Sequence, residues 1–170
     1  MRVPLRFLLT RFPALFGVVL FGLACAGIRP YPRYTCAGDR HDGGVIGRSR
    51  EKMEKVIESF LGTPYRWGGE GENGVDCSGL VRAVFRQAMS LRLPHSTQEL
   101  FGTGATVSLD ELCFGDLVFF GEKDGQVNHV GIYLSGGRFV HASTEQGVTI
   151  SRLDSPYFRG RCIGARRIVL

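Results

Sequence analysis

The sequence predicts an α+β domain, with helices first and an antiparallel sheet after them. Two stretches carry this reading. From Ser49 to Met89, apolar residues recur at helical spacing. From Asp116 to Val169 they fall instead into short β-branched and aromatic runs, separated by glycine and polar turns. Composition agrees. The 24 glycines among 170 residues suit a loop-rich fold rather than a helical bundle, and 44% hydrophobic content supports one globular core.

Residues 1–24 stand outside that core. Arg2, Arg6 and Arg11 precede an apolar run from Phe12 to Ala24, interrupted by Pro13 and Gly17. The run is short for a membrane span and has the order of an export signal. It ends Gly22-Leu23-Ala24-Cys25, small residues before a cysteine, as in a bacterial lipoprotein signal. Lipidation of Cys25 is the preferred reading, although leucine stands one position later than that signal usually has it. The rival is cleavage after Ala24-Cys25-Ala26, a small-x-small site. Removing residues 1–24 takes three of the 21 basic residues and none of the 16 acidic ones, so the net charge falls from +5 to +2. The basic balance belongs to the export signal, and no nucleic-acid partner is expected.

Residues 25–48 show no apolar period and are expected to be a tether, with His41 a solvated residue in it. The domain is expected over 49–170. Met53, Val56, Ile57, Phe60 and Leu61 make one apolar helix face, which Gly62 and Pro64 end. Tyr65 and Trp67 follow; Trp67 is read as covering the core, and Tyr65 as able to aim its hydroxyl at a site. After the loop Gly68–Gly74 a second helix begins, its apolar face carried by Leu80, Val81, Val84, Phe85, Ala88 and Met89. Ser96 or Thr97 caps a third, short helix, with His95 at its surface. The stretch from Gly102 to Asp110 reads as loop. Five strands are expected: 116–120, 129–134, 138–142, 147–151 and 162–169.

Asp76-Cys77-Ser78-Gly79 opens the second helix. Asp76 can accept from the free amides of the first turn. Cys77 then lies where the helix dipole favours thiolate, which predicts a pKa below about 8.5. A cysteine so placed is a nucleophile if a histidine reaches it; otherwise it is a small buried hydrophobe. Of the five cysteines, Cys36, Cys113 and Cys162 have no assigned chemistry, and their spacing is compatible with a Cys36–Cys162 bridge. There is no C-x-x-C and no Cys/His set at zinc spacing, so no metal is expected.

His129 starts one strand and His141 lies near the end of the next. A two-residue turn at Gly136-Gly137 sets Ile132 opposite His141 and points the two rings to opposite faces. A longer turn or a bulge is required to bring them together. One ring could then act as general base and the other hold its tautomer. A lone histidine, by contrast, is usually structural.

Five blocks carry a family resemblance: Pro64-Tyr65-Arg66-Trp67-Gly68-Gly69, Asp76-Cys77-Ser78-Gly79-Leu80-Val81, Gly115-Asp116-Leu117-Val118-Phe119-Phe120, His129-Val130-Gly131-Ile132-Tyr133 and Phe139-Val140-His141-Ala142-Ser143. In this order, over residues 49–170, the chain resembles the NlpC-type cell-wall cysteine peptidases. The C-terminal Gly164-Ala165-Arg166-Arg167 is similar to that family's final strand. The resemblance implies a papain-like fold, with Cys77 as nucleophile, His129 as base and His141 as third member. It implies Tyr65 beside the oxyanion, and Asp76 and Ser78 in binding the peptide stem. Cys113 and His95 depart from the family, which often has Gln-Pro before the Gly-Asp and Arg at the histidine's place.

The leading functional expectation is therefore a peptidoglycan endopeptidase working on peptide stems without cofactor, monomeric, exported and held to a membrane by lipid. A non-hydrolytic wall-binding module is the second reading, and a wall amidase or acyltransferase on the same fold the third. Three filled catalytic positions argue against the second; the order cysteine, histidine, histidine argues against circularly permuted acyltransferases.

Overall fold

The structure, a computed structural model, describes residues 45–122 and 125–168. The expected signal at 1–24, Cys25, Cys36 and His41 lie outside the described residues.

Helix α1 (Val45–Phe60) begins ahead of the expected start near Ser49. It buries Met53, Ile57 and Phe60, with Val56 packed at the edge of the same core. Leu61 was expected on this face, but the helix ends one residue before it and the side chain is exposed. The loop from Gly68 is not wholly irregular: β1 (Glu70–Gly71) and β2 (Gly74–Val75) pair in a short antiparallel ladder. Helix α2 (Cys77–Met89) packs against α1 through Leu80, Val81, Val84 and Phe85, all buried. Each such side chain withdrawn from water contributes about 1.5–3 kcal/mol. Helix α3 (Thr97–Phe101) is a single turn closed by a capping box: Ser96 and Glu99 satisfy each other's amides.

The sheet has six antiparallel strands rather than five, ordered β3-β8-β4-β5-β6-β7. They are β3 (Ala105–Val107), β4 (Leu117–Gly121), β5 (Val127–Ser135), β6 (Arg138–Ser143), β7 (Gly147–Arg152) and β8 (Cys162–Arg167). The additional strand β3 was read as loop. It is three residues long with one buried side chain, too short to show alternation. Both faces of the sheet are covered. Leu117, Phe119, Val130, Ile132, Val140 and Ala142 face the helices. Val118, Phe120, Tyr133 and Phe139 face a second cluster closed by Leu112, Leu153 and Phe158 from connecting segments.

The β5–β6 hairpin decides where the histidines point. Gly136 and Gly137 form the turn with φ of 58° and 76°, the geometry that matches the twist of paired strands. Ser135 pairs with Arg138 as expected, but then the register slips: Tyr133 pairs with Phe139, and Ile132 with Val140. Leu134 is the extra residue of a bulge. The slip turns His141 to the face shared by His129, Gly131 and Tyr133.

Cys162 has a free thiol, so the Cys36–Cys162 bridge does not form. The residue sits in β8 against the second cluster, paired with Phe120. Cys113 is disulfide-bonded instead.

Candidate active site

Asp76 caps α2 as expected, and it does more than cap. Its Oδ1 accepts from the Gly79 amide at 2.7 Å and from the Ser78 hydroxyl at 2.9 Å. Its Oδ2 accepts from the Gly68 amide at 2.8 Å. One carboxylate thus ties the glycine loop to the helix start. Gly79 belongs to the same joint: a Cβ there would run into the Gly69 carbonyl. Cys77 is consequently fixed as the first residue of α2, 9% exposed, at the edge of the helix-side core.

The thiol has a partner that the sequence reading passed over. Thr97 Oγ1 lies 3.6 Å from Cys77 Sγ, and Thr97 is itself buried. Thr97 is the first residue of α3. The next residue, Gln98, donates to the Val127 carbonyl at 3.0 Å, so α3 touches both Cys77 and the strand that carries His129. The signal was the capping sequence around Ser96, but the periodicity of a single-turn helix does not say which face meets the cysteine.

His129 Nε2 and His141 Nδ1 are 2.9 Å apart, with the rings at 86°. This bond uses Nε2 of His129 and leaves its Nδ1 outside the pair. His141 Nε2 lies 3.0 Å from Ser151 Oγ in β7, which anchors the far side of the second ring. Ser151 was also missed. It shares the His141 face because Thr149 pairs with His141 and strand side chains alternate. Aromatic rings enclose the pair: Phe158 is 5.2 Å from His141 and 6.5 Å from His129, and Phe139 is 5.1 Å from His141.

Burial sets the protonation states. It pushes His129 down to about 4, and His141 to about 3 with help from the neighbouring His129 charge. It pushes the Cys77 thiol up, partly opposed by hydrogen bonds from Thr97 and from the backbones of Val130 and Ser78. The expectation of a thiol depressed by the helix dipole is corrected here: burial, the largest influence on this thiol, raises it. The resting site therefore holds a neutral thiol and neutral imidazoles at pH 7.

Cys77, His129, His141, Tyr65, Asp76 and Ser78 all line one groove of about 880 Å³. Tyr65 is half-buried and bridges to Val75; burial first, then the charges of Cys77 and Asp76, raise its phenol pKa. Trp67 was read as a core cover, but it is 86% exposed on the groove's edge. His95 is on the surface as expected, 3.3 Å from Arg82 and 3.8 Å from Glu70, which also pairs with Arg82. Among the described residues no three His, Cys, Asp or Glu side chains gather as a metal-holding set.

A cysteine at a helix start, facing a groove shared with a bonded pair of histidines, is an arrangement for thiol-based acyl transfer. Comparison with known proteins agrees. The probable endopeptidase NlpC of Escherichia coli K12 is 46% identical over 117 residues, 68% of this chain and 76% of that protein. The murein DD-endopeptidase MepS/murein LD-carboxypeptidase of the same strain is 34% identical, over 97% of this chain and 95% of that protein. A crystal structure of an NlpC/P60 family protein from Bacillus cereus superposes with a TM-score of 0.67 at 30% identity, covering 71% of this chain. That protein is longer, and the match spans 40% of it. The sequence profile of the NlpC/P60 family covers residues 62–167, from the end of α1 through the last strand. With the motif blocks, the paired histidines and these likenesses in agreement, the chain belongs to the NlpC/P60 family.

Proposed function

We propose that this chain is a peptidoglycan endopeptidase that hydrolyses an amide bond in the peptide stems or cross-links of the cell wall. The observation that carries the reading is the 2.9 Å His129–His141 bond in the groove that Cys77 also lines. The names of the relatives, a murein DD-endopeptidase among them, support murein peptide as the substrate.

In this mechanism Cys77 Sγ attacks the amide carbon and its proton passes to His129 Nδ1. His141, held by Ser151, keeps His129 in the tautomer that leaves Nδ1 unprotonated to accept. Backbone amides at the start of α2 and the Tyr65 hydroxyl stabilise the oxyanion. The C–N bond then breaks as His129 returns the proton to the leaving amine, giving a thioester on Cys77. Water, deprotonated by His129, cleaves the thioester and restores the thiol. Asp76 and Ser78 contact the stem from the cysteine side of the groove. Digestion of purified muropeptides, with the fragments weighed by mass spectrometry, tests the function. Fragments from a cut within the peptide, with the glycan intact, are expected. Uncut peptides that nevertheless bind would favour the wall-binding module.

We also propose that residues 1–24 direct export, that Cys25 is lipidated, and that residues 25–48 link the anchor to a domain over 49–170. The protein would act as a monomer in the bacterial envelope. The supporting pattern is the apolar run ending Leu23-Ala24-Cys25; among the described residues no helix is long and apolar enough to cross a membrane. A fatty-acid analogue fed to cells should label the wild type and not Cys25→Ala. An unlabelled, soluble wild type would point to plain cleavage after Ala26.

A further inference from the structure

The groove wall on the histidine side carries a cation that the chemistry above does not use. Arg161 lies just before β8, and its guanidinium carbon sits 4.3 Å over the ring of Tyr157. Its Nη1 donates to the Tyr157 carbonyl at 2.7 Å. Tyr157 in turn packs on Phe158 with ring centroids 4.8 Å apart, and Phe158 packs on both catalytic histidines. The backbone carbonyl of Arg161 accepts from the Gly121 amide at 3.0 Å, which ties this wall to the end of β4. The guanidinium is therefore held against Tyr157, and Arg161 lines the groove that both histidines also line.

Among the described residues its charge is unanswered. The other arginine of the groove, Arg82, is paired with Glu70. Asp76 spends its oxygens on Gly68, Ser78 and Gly79. Glu122 lines the groove too, but among the described residues no carboxylate pairs with Arg161. An arginine stacked on an aromatic ring, with a nitrogen pinned and others free, presents a preformed fork for a carboxylate.

The side of the groove says which half of the substrate would bring that carboxylate. His129 must protonate the leaving amine, so the amine-bearing half lies along the histidine wall. We infer that Arg161, posed by Tyr157, is a specificity residue that binds a free carboxylate on the leaving half of the peptide stem. The inference rests on the peptidase reading and goes beyond it by naming the chemical group that the groove selects.

Two synthetic stem peptides, identical except that the leaving half bears either the carboxylate or its carboxamide, provide the test. The wild type should show a kcat/KM about ten- to a hundredfold higher for the acid, expressed chiefly in KM, the range of one charge-assisted hydrogen-bonded contact. In Arg161→Gln the acid-to-amide ratio should collapse to near one. Arg161→Lys, which keeps the charge and loses the fork, should fall between. The ratio is internal to each enzyme, so a loss of folded protein does not imitate the effect. A wild type that cuts both peptides equally, or an Arg161→Gln enzyme that keeps the wild-type ratio, overturns the assignment while leaving the peptidase intact. A folded wild type that cuts neither peptide overturns the peptidase reading and this inference with it.

Discussion

Cys77 and His129 are each held in the form that carries no charge. For the histidine the sign is plain. Burial favours the neutral ring, and the neutral ring is the base of the proposed mechanism, so competence should be retained as pH falls until His129 protonates near 4. The thiol is pushed up by the same burial. The profile of kcat/KM should therefore be broad, with an acid limb displaced below the ordinary histidine value of 6.5 toward 4. The two limbs belong to the coupled pair. An acid limb at or above 6.5 would mean that the site charges at rest. His141 enters as a positioning residue through its 2.9 Å bond to His129. His141→Asn keeps an amide that can hold the ring and should retain measurable activity. His141→Ala should lose on the order of a hundredfold. Equal losses in the two variants with an unshifted pH profile would remove His141 from the orienting role.

At the scale of elements, the β5–β6 bulge brings the two histidine rings to one face. Without the slip at Leu134 the two rings would point to opposite faces of the sheet. Gly131 lies between them on the shared face, and a Cβ there would come within 2.6 Å of Phe139 Cδ2 and 2.8 Å of the Val140 carbonyl oxygen. Gly131→Ala should cost about 1–3 kcal/mol in denaturant unfolding through overpacking. It should also lower kcat/KM, because Phe139 packs on His141. An Ala variant with wild-type stability and turnover would show that this packing does not hold the ring. The sequence carried the need for a bulge but not its place, since nothing in Tyr133-Leu134-Ser135 marks Leu134 as the extra residue. It carried α1, α2, a short helix capped by Ser96 or Thr97 and five strands, because long apolar periods and cap chemistry are local signals. It did not carry β3, the exposure of Trp67 or the partners Thr97 and Ser151. Those depend on which surfaces meet after the chain has folded, as does the burial that raises the Cys77 thiol.

Across the whole domain, the site lies where two cores meet. Cys77 belongs to the helix-side cluster, whereas the histidines stand on the aromatic face of the sheet with Phe120, Phe139 and Phe158. The far end of the sheet is fastened by a buried carboxylate: Asp116, 2% exposed, accepts two bonds from Arg167 at 2.8 and 2.7 Å and one from the Cys113 amide at 2.7 Å. That joint holds β4 to β8, and β4 in turn pairs with the His129 strand. Removing Arg167 would leave the buried Asp116 carboxylate without its charge partner, a loss of about 1–3 kcal/mol, whereas removing Asp116 would free an arginine that is already 41% exposed. In the proposed mechanism this scaffold presents one sulfur atom, Cys77 Sγ, to the scissile amide. Mixing the enzyme with a stem peptide, quenching in acid within the first turnover and weighing the intact protein tests this. A mass increase equal to the acyl half of the substrate is expected, located on Cys77 by peptide mapping, with neither adduct nor cleavage in a folded Cys77→Ala variant. Continued cleavage by that variant, or an adduct on any other residue, would contradict it.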